Sequence, residues 1–167
     1  QILFTATEPA NPTRGLWLDL TADGQLRHTH RGASGEETLF SSAALNDGKW
    51  HHVTAVKEGI ALALYVDGVR VSTATTDIDL TNPLHVVLGG SFTGKLDELL
   101  FYERALTSAQ IQSLADPAAS GIDRLEIGFR HAKGADLYDD LRVHLPFEEL
   151  AAASAFADLA SGQPSGR

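Results

Sequence analysis

Two Asp-Gly pairs, Asp23-Gly24 and Asp67-Gly68, each separate two short runs of alternating apolar and polar residues. This arrangement leaves few folds open. Asp-Gly supplies the two positive φ values that a type I′ turn demands, and the twist of that turn joins antiparallel strands. Residues 15–20 are therefore expected to pair with 25–30, and 61–66 with 69–75. Short strands punctuated by turn residues every eight to twelve positions are the rhythm of an all-β, antiparallel sandwich.

The other segments fit that rhythm. The chain opens in a strand at Ile2-Leu3-Phe4-Thr5. Residues 37–42 and 52–57 read as strands on either side of the turn Asn46-Asp47-Gly48, with Val53, Ala55 and Lys57 on one face. An apolar strand at 84–88 ends at Gly89-Gly90, and a longer one is expected over 94–102 with Leu96 inward. One short helix is predicted over 107–115. Thr107 caps it, Gln110 stands at the capping-box position, Ile111 and Leu114 line one face, and Asp116-Pro117 stops it. Residues 1–116 thus form the main part of a sandwich. Residues 117–140 read as a linker with an additional strand (Leu125, Ile127, Phe129), and 141–167 begin with another strand (Leu141, Val143, Leu145, Phe147). The Ala-rich stretch 148–159 has helical composition, and 161–166 have loop chemistry.

Charge narrows the partners. Thirteen basic against 22 acidic residues give a formal charge of -9, the wrong sign for binding phosphate backbones, so nucleic acid is not expected. The same carboxylates supply the oxygens that calcium prefers. Cysteine is absent, which excludes a disulfide framework, a thiolate nucleophile and Cys-type zinc sites. No apolar run reaches the length of a membrane span, so membrane insertion is not expected. With no methionine even at position 1, the sequence reads as a piece of a longer protein.

Three stretches carry a family resemblance. Leu45-Asn46-Asp47-Gly48-Lys49-Trp50-His51-His52-Val53 resembles the step "L-x-D-G-x-W-H-H-V" into a central strand, and Leu64-Tyr65-Val66-Asp67-Gly68 resembles an "L-Y-V-D-G" hairpin. Phe92-Thr93-Gly94-Lys95-Leu96-Asp97-Glu98-Leu99, followed by Tyr102-Glu103-Arg104-Ala105-Leu106-Thr107, resembles "F-x-G-x-[LI]-D-[ED]-[VL]" with "Y-x-R-A-L-[ST]". In this order they resemble the laminin-G-like domain of the concanavalin A-like lectin/glucanase superfamily, over roughly residues 1 to 115. The resemblance implies a jelly-roll sandwich. Elements similar to that domain's opening strand and loop stand at the other end, at Val143-His144-Leu145-Pro146-Phe147-Glu148-Glu149 and Phe156-Ala157-Asp158-Leu159-Ala160-Ser161-Gly162-Gln163. Residues 141–167 either complete this sandwich by circular permutation or start a tandem repeat.

Candidate chemistry follows in part from the resemblance, which implies calcium at the sandwich edge. Carried over by position, the ligands are Asp97, Glu148 and Asp158, with carbonyls near Ser161 and Gln163; Glu148 replaces the usual Asp and Gln163 the usual Asn. On the bland reading, Asp97 and Glu98 are solvated strand-end residues and Asp158 starts a turn. His28 and His30 share a strand face, and with Arg27 and Arg31 beside them a solvated face is expected rather than a metal site. His51 and His52 point to opposite faces, which excludes a joint ligand role, and the resemblance implies that they are framework with Trp50 packed in the core. The glucanases' carboxylate series is matched only by Asp77-Ile78-Asp79, with Thr75 and Thr81 where a third acid would stand, so no catalysis is expected. Trp17, Phe40 and Tyr65 are the aromatics that a sugar-binding groove would use. The sequence therefore predicts a non-catalytic recognition module at the cell surface, with neighbouring domains in a longer chain. It would bind glycan or protein and take calcium as its one candidate cofactor; the alternative is a structural spacer, an adhesin repeat or an accessory domain without its own ligand.

Overall fold

In the computed structural model, residues 1–80, 84–102 and 104–116 are described with their side chains, and Leu141–Leu145, Phe156–Asp158 and Gln163–Ser165 by their backbone. The chain divides into two units. One holds Gln1–Thr93 and Thr107–Asp123, the other Gly94–Leu106 and Arg124–Arg167.

The first unit contains two antiparallel sheets. Strands β1 (Ile2–Glu8), β2 (Asn11–Leu20), β3 (Gln25–Arg31), β4 (Glu36–Ala44) and β8 (His85–Leu88) form one, in the order β4-β3-β2-β1-β8. Strands β5 (Val53–Glu58), β6 (Ala61–Val66) and β7 (Val69–Thr75) form the other. β4 runs beside β7 and joins the sheets along one side of the sandwich. Both hairpins are present, with Leu20 paired to Leu26 and Val66 to Val69, but only the second closes on a two-residue Asp-Gly turn. At the first, Gly24 but not Asp23 takes a positive φ, and Thr21 N–H donates to the Gln25 carbonyl across a longer connection. Asp67 and Gly68 hold φ values of 50° and 76°, both in the left-handed region the turn requires.

Period-two alternation decides the interior. Leu26 and Leu39 from the large sheet meet Leu62 and Leu64 from the small one, all at most 3% exposed. Burying each such leucine stabilises the fold by about 1.5–3 kcal/mol relative to leaving it in water. The opposite face of the small sheet is covered by α1 (Ser108–Ala115). Thr107 and Gln110 make the reciprocal capping box, Ile111 is fully buried, and the Tyr65 hydroxyl lies 3.1 Å from Ser108 Oγ. Gly68 gives the helix room, because a Cβ there would stand 3.0 Å from Gln112 Cα.

The second unit contains β9 (Leu99–Tyr102) paired antiparallel with β10 (Leu141–Leu145), and β11 (Phe156–Asp158) paired with β12 (Gln163–Ser165). Three expectations change here. The strand expected over 94–102 begins only at Leu99, because Glu98 takes a φ of 50° that breaks extended backbone; Leu96 is half-buried outside it. Phe156–Asp158 is strand rather than helix, and Gln163–Ser165 is its partner rather than loop, since pairing satisfies both backbones. The strand expected around 125–129 lies outside the described residues.

A glycine contrast tests the packing. A Cβ at Gly15 would fall 2.1 Å from the Ala6 carbonyl oxygen, whereas one at Gly48 meets nothing within 4 Å. Urea unfolding is expected to show Gly15→Ala losing at least about 3 kcal/mol, combining overpacking with left-handed strain. Gly48→Ala is expected to lose only about 1 kcal/mol, from strain alone.

Candidate functional site

The outward face of the five-stranded sheet carries Trp17, Arg27, Thr29, Arg31 and Phe40. It is internally cross-linked. Arg27 donates two hydrogen bonds to Asp19, at 2.8 and 2.6 Å, and Arg31 pairs with Glu36 while its guanidinium stands 5.5 Å over the Trp17 ring. Trp17 is thus half-buried beneath an arginine, Tyr65 is buried under α1, and Phe40, 44% exposed, is the open member of the three sugar-groove candidates.

A different aromatic is far more accessible. Trp50 is 64% exposed, which corrects the expectation of a core residue. It stands in the loop before β5 begins at Val53, so strand alternation does not reach it. The loop around it is tightly braced. His51 Nδ1 lies 2.8 Å from Asp67 Oδ2 and its Nε2 lies 3.1 Å from Asp47 Oδ1. Asp67 Oδ1 accepts the His52 N–H at 2.9 Å, and the Asp67 N–H donates to the His52 carbonyl at 2.8 Å. Asp47 also accepts the Lys49 N–H at 3.0 Å. The neighbouring hairpin joins this end of the sandwich through Leu45 N–H donating to the Gly24 carbonyl at 2.8 Å. Hydrogen bonds from Asp67 and then Asp47 raise the His51 pKa, while the Lys49 N–H and then His51 draw Asp47 down to about 2. The result is a charge-assisted clamp beneath an exposed indole.

The remaining histidines are internal. His28 and His30 share the inward face with Leu26 and are 4% and 3% exposed, so the expected solvated face is corrected to a buried one. His28 Nδ1 lies 3.1 Å from the Trp17 carbonyl, and burial lowers its pKa to about 4. Neither ring nitrogen of His30 has a hydrogen-bond partner, and burial lowers its pKa too. The signal was present in the sequence: His28 and His30 are in phase with Leu26, while Arg27, Thr29 and Arg31 alternate outward. His52, which precedes β5, is half-buried with Nδ1 unpartnered and a pKa lowered by burial.

The calcium candidates are only partly gathered. Asp97 is exposed and its Oδ1 accepts the Glu98 N–H at 2.9 Å. Asp158 and Gln163 are direct cross-strand partners in β11 and β12. Glu148 and Ser161 lie outside the described residues, and among the described residues no group of three His, Asp or Glu is arranged to hold a metal. Asp77 and Asp79 are exposed beyond the end of β7.

Comparisons with known proteins agree with this architecture. A laminin-G family model, described as the concanavalin A-like lectin/glucanases superfamily, matches residues 1–112. The basement membrane-specific heparan sulfate proteoglycan core protein of Mus musculus is 44% identical over 46 residues, which are 28% of this chain and 1% of that protein. Among solved structures, the native heptameric SAP-like pentraxin from Limulus polyphemus superposes with a TM-score of 0.50 at 21% identity, covering 69% of this chain and 62% of that one. An S-layer domain-containing protein from Clostridium thermocellum matches at a TM-score of 0.36 and 23% identity over 70% of this chain and 63% of its own. The chain therefore spans a small fraction of the proteoglycan and less than two thirds of either solved structure. No helix among the described residues is long and apolar enough to cross a membrane.

The histidines set two opposed pH dependences. His28, His30 and His52 are held neutral when folded, so below pH 6.5 the unfolded chain binds more protons and stability falls with pH. By pH 4 His28 alone accounts for about 3 kcal/mol. His51 acts oppositely: its contribution is complete below pH 6.5 and is lost as pH rises through its raised pKa. An NMR titration is expected to find His51 titrating above 6.5 and His28 near 4, and thermal melts are expected to lose midpoint from pH 6.5 to 4.

Proposed function

The chain belongs to the laminin-G-like branch of the concanavalin A-like lectin/glucanase superfamily, and we propose that it is a non-catalytic recognition module for glycan or protein ligands outside the cell. The observation that carries this reading is Trp50, a large aromatic left 64% exposed on a loop braced by the hydrogen bonds of His51 and His52 to Asp47 and Asp67. An indole carried on a braced loop spares the backbone entropy cost of ordering on binding, and it offers a flat apolar face to a sugar ring or to a pocket on a protein. Tryptophan is among the residues that most often anchor interfaces. The extracellular assignment draws on the basement-membrane proteoglycan that matches part of the chain. In this reading neighbouring domains belong to the same longer protein, and 141–167 complete a laminin-G-like sandwich or open the next repeat.

Binding to an array of neutral oligosaccharides and purified matrix proteins tests the proposal. At least one ligand is expected, weakened about tenfold or more by Trp50→Ala, which removes about 1.4 kcal/mol of binding. The melting midpoint should stay unchanged because the ring is exposed. Wild-type protein that binds nothing, or Trp50→Ala that binds equally, would turn the account to a structural spacer without a ligand.

Calcium belongs to the same proposal, with Asp97, Glu148 and Asp158 as the carboxylates that would hold it. The donor set suits a hard cation: Asp97 is an exposed carboxylate on irregular backbone, and Asp158 is in register with Gln163 across a strand pair. Calcium is expected to raise the melting midpoint relative to chelator, and Asp97→Ala and Asp158→Ala each to abolish that rise. An unmoved midpoint in the wild type removes calcium from the account.

A further inference from the structure

His51 bridges two carboxylates, with Nδ1 at 2.8 Å from Asp67 Oδ2 and Nε2 at 3.1 Å from Asp47 Oδ1. An ionised carboxylate only accepts hydrogen bonds and a neutral imidazole carries a single N–H, so both contacts are hydrogen bonds only when the ring is an imidazolium. The two bonds differ in what they close. The one to Asp67 ties the β4–β5 connection to the β6–β7 turn, where the backbone of His52 makes two further bonds to the same residue. The one to Asp47 closes a ring of chain from Asp47 to His51, and Trp50 lies inside that ring.

The charges that act on the imidazole are these two carboxylates, Asp67 ahead of Asp47. Within the connection, Lys49 Nζ reaches the other oxygen of Asp47 at 3.2 Å, and burial keeps His52 neutral. The remaining chargeable groups at this end of the first unit are Arg70 at the start of β7, Asp23 in the β2–β3 turn and Asp116 after α1, and none of them shifts the ring. When the second proton leaves, the shorter contact keeps the remaining N–H. Nδ1 then stays bonded to Asp67, and Nε2 turns a lone pair toward Asp47 Oδ1, acceptor against acceptor. Asp47 retains the Lys49 N–H, but the bond that closes the chain around Trp50 is gone.

We infer that the Trp50 loop is gated by a proton: the His51 imidazolium holds it closed, and loss of the Nε2 proton releases the segment from Asp47 to Trp50 while the β6–β7 turn stays intact. The loop is closed on the acid side of the His51 titration and open on the alkaline side. Burial lowers the pKa of His28, His30 and His52 whereas the two carboxylates raise that of His51, so the core has shed its protons before the gate opens. That this regulates recognition rests on the reading of Trp50 as the anchor; the gate itself belongs to the free chain.

Carbon-13 relaxation at the Cα positions of Lys49 and Trp50, which do not exchange with water, tests the gate without any ligand. It is measured about one pH unit below and about two above the His51 pKa found by NMR in the same samples. Order parameters of about 0.85 are expected below that pKa and of less than about 0.6 above it, with Val66 and Val69 rigid at both. His51→Gln is expected to abolish the dependence on pH, and His85→Gln, which removes an exposed histidine in β8, to preserve it. Asp47→Asn keeps an oxygen for the Lys49 N–H while removing the charge, and is expected to carry the transition to lower pH together with the His51 pKa. A loop of constant order across the His51 titration overturns the inference. So does a transition that persists in His51→Gln, or one that stays in place when Asp47→Asn moves the His51 pKa. Because no ligand is present, a Trp50 that binds nothing leaves this result untouched, and a rim that binds at constant order overturns the gate alone.

Discussion

Asp67 is the residue on which the organisation of the rim depends. It provides the first positive φ of the β6–β7 turn, donates its N–H to the His52 carbonyl, accepts the His52 N–H on one carboxylate oxygen and places the other on the His51 ring. A single side chain therefore fixes a hairpin, the entry into β5 and the loop that carries Trp50. Because His51 also reaches Asp47, the clamp extends across the whole β4–β5 connection. Exposed ion pairs contribute little to global stability, and the consequence here is local order rather than a higher melting point. That distinction joins structure to function, since a recognition loop gains affinity from being ordered before its ligand arrives.

The interior shows the opposite use of histidine. Leu26, Leu39, Leu62 and Leu64 supply the apolar contact between the sheets, yet His28 and His30 occupy the same layer. Neutral imidazoles are tolerated there only while hydrogen bonds or apolar neighbours offset their burial, and His30 has neither nitrogen bonded. A core made partly of histidine is stable near neutrality and vulnerable to acid.

Much of the fold was legible in the sequence because its strongest signals are local. The Asp67-Gly68 turn, the Thr107–Gln110 capping box and the strand lengths 61–66 and 69–75 depend on nearest neighbours, and the structure reproduces them. The misplaced residues have a common cause. Alternation states which side chains share a face but not which face is covered, and for β3 the flanking arginines suggest solvent although the in-phase Leu26 marks a covered face. Trp50 lies three residues before its strand, where no period applies, in a loop held by the bonds of His51 to Asp47, four residues back, and to Asp67 in another hairpin. The break at Glu98 likewise depends on a backbone conformation that its residue type does not announce.

The central claim is that the Trp50 rim is ordered in the absence of ligand and that Asp67 orders it. Backbone order parameters for Lys49 to His52, measured in the wild type and in Asp67→Gly, test it most directly, because glycine keeps the turn's positive φ while removing the carboxylate. The account predicts values near 0.85 in the wild type, falling below about 0.6 in the variant while the β6–β7 hairpin stays rigid. A wild-type loop already below about 0.6, or a loop equally rigid without the carboxylate, would contradict it.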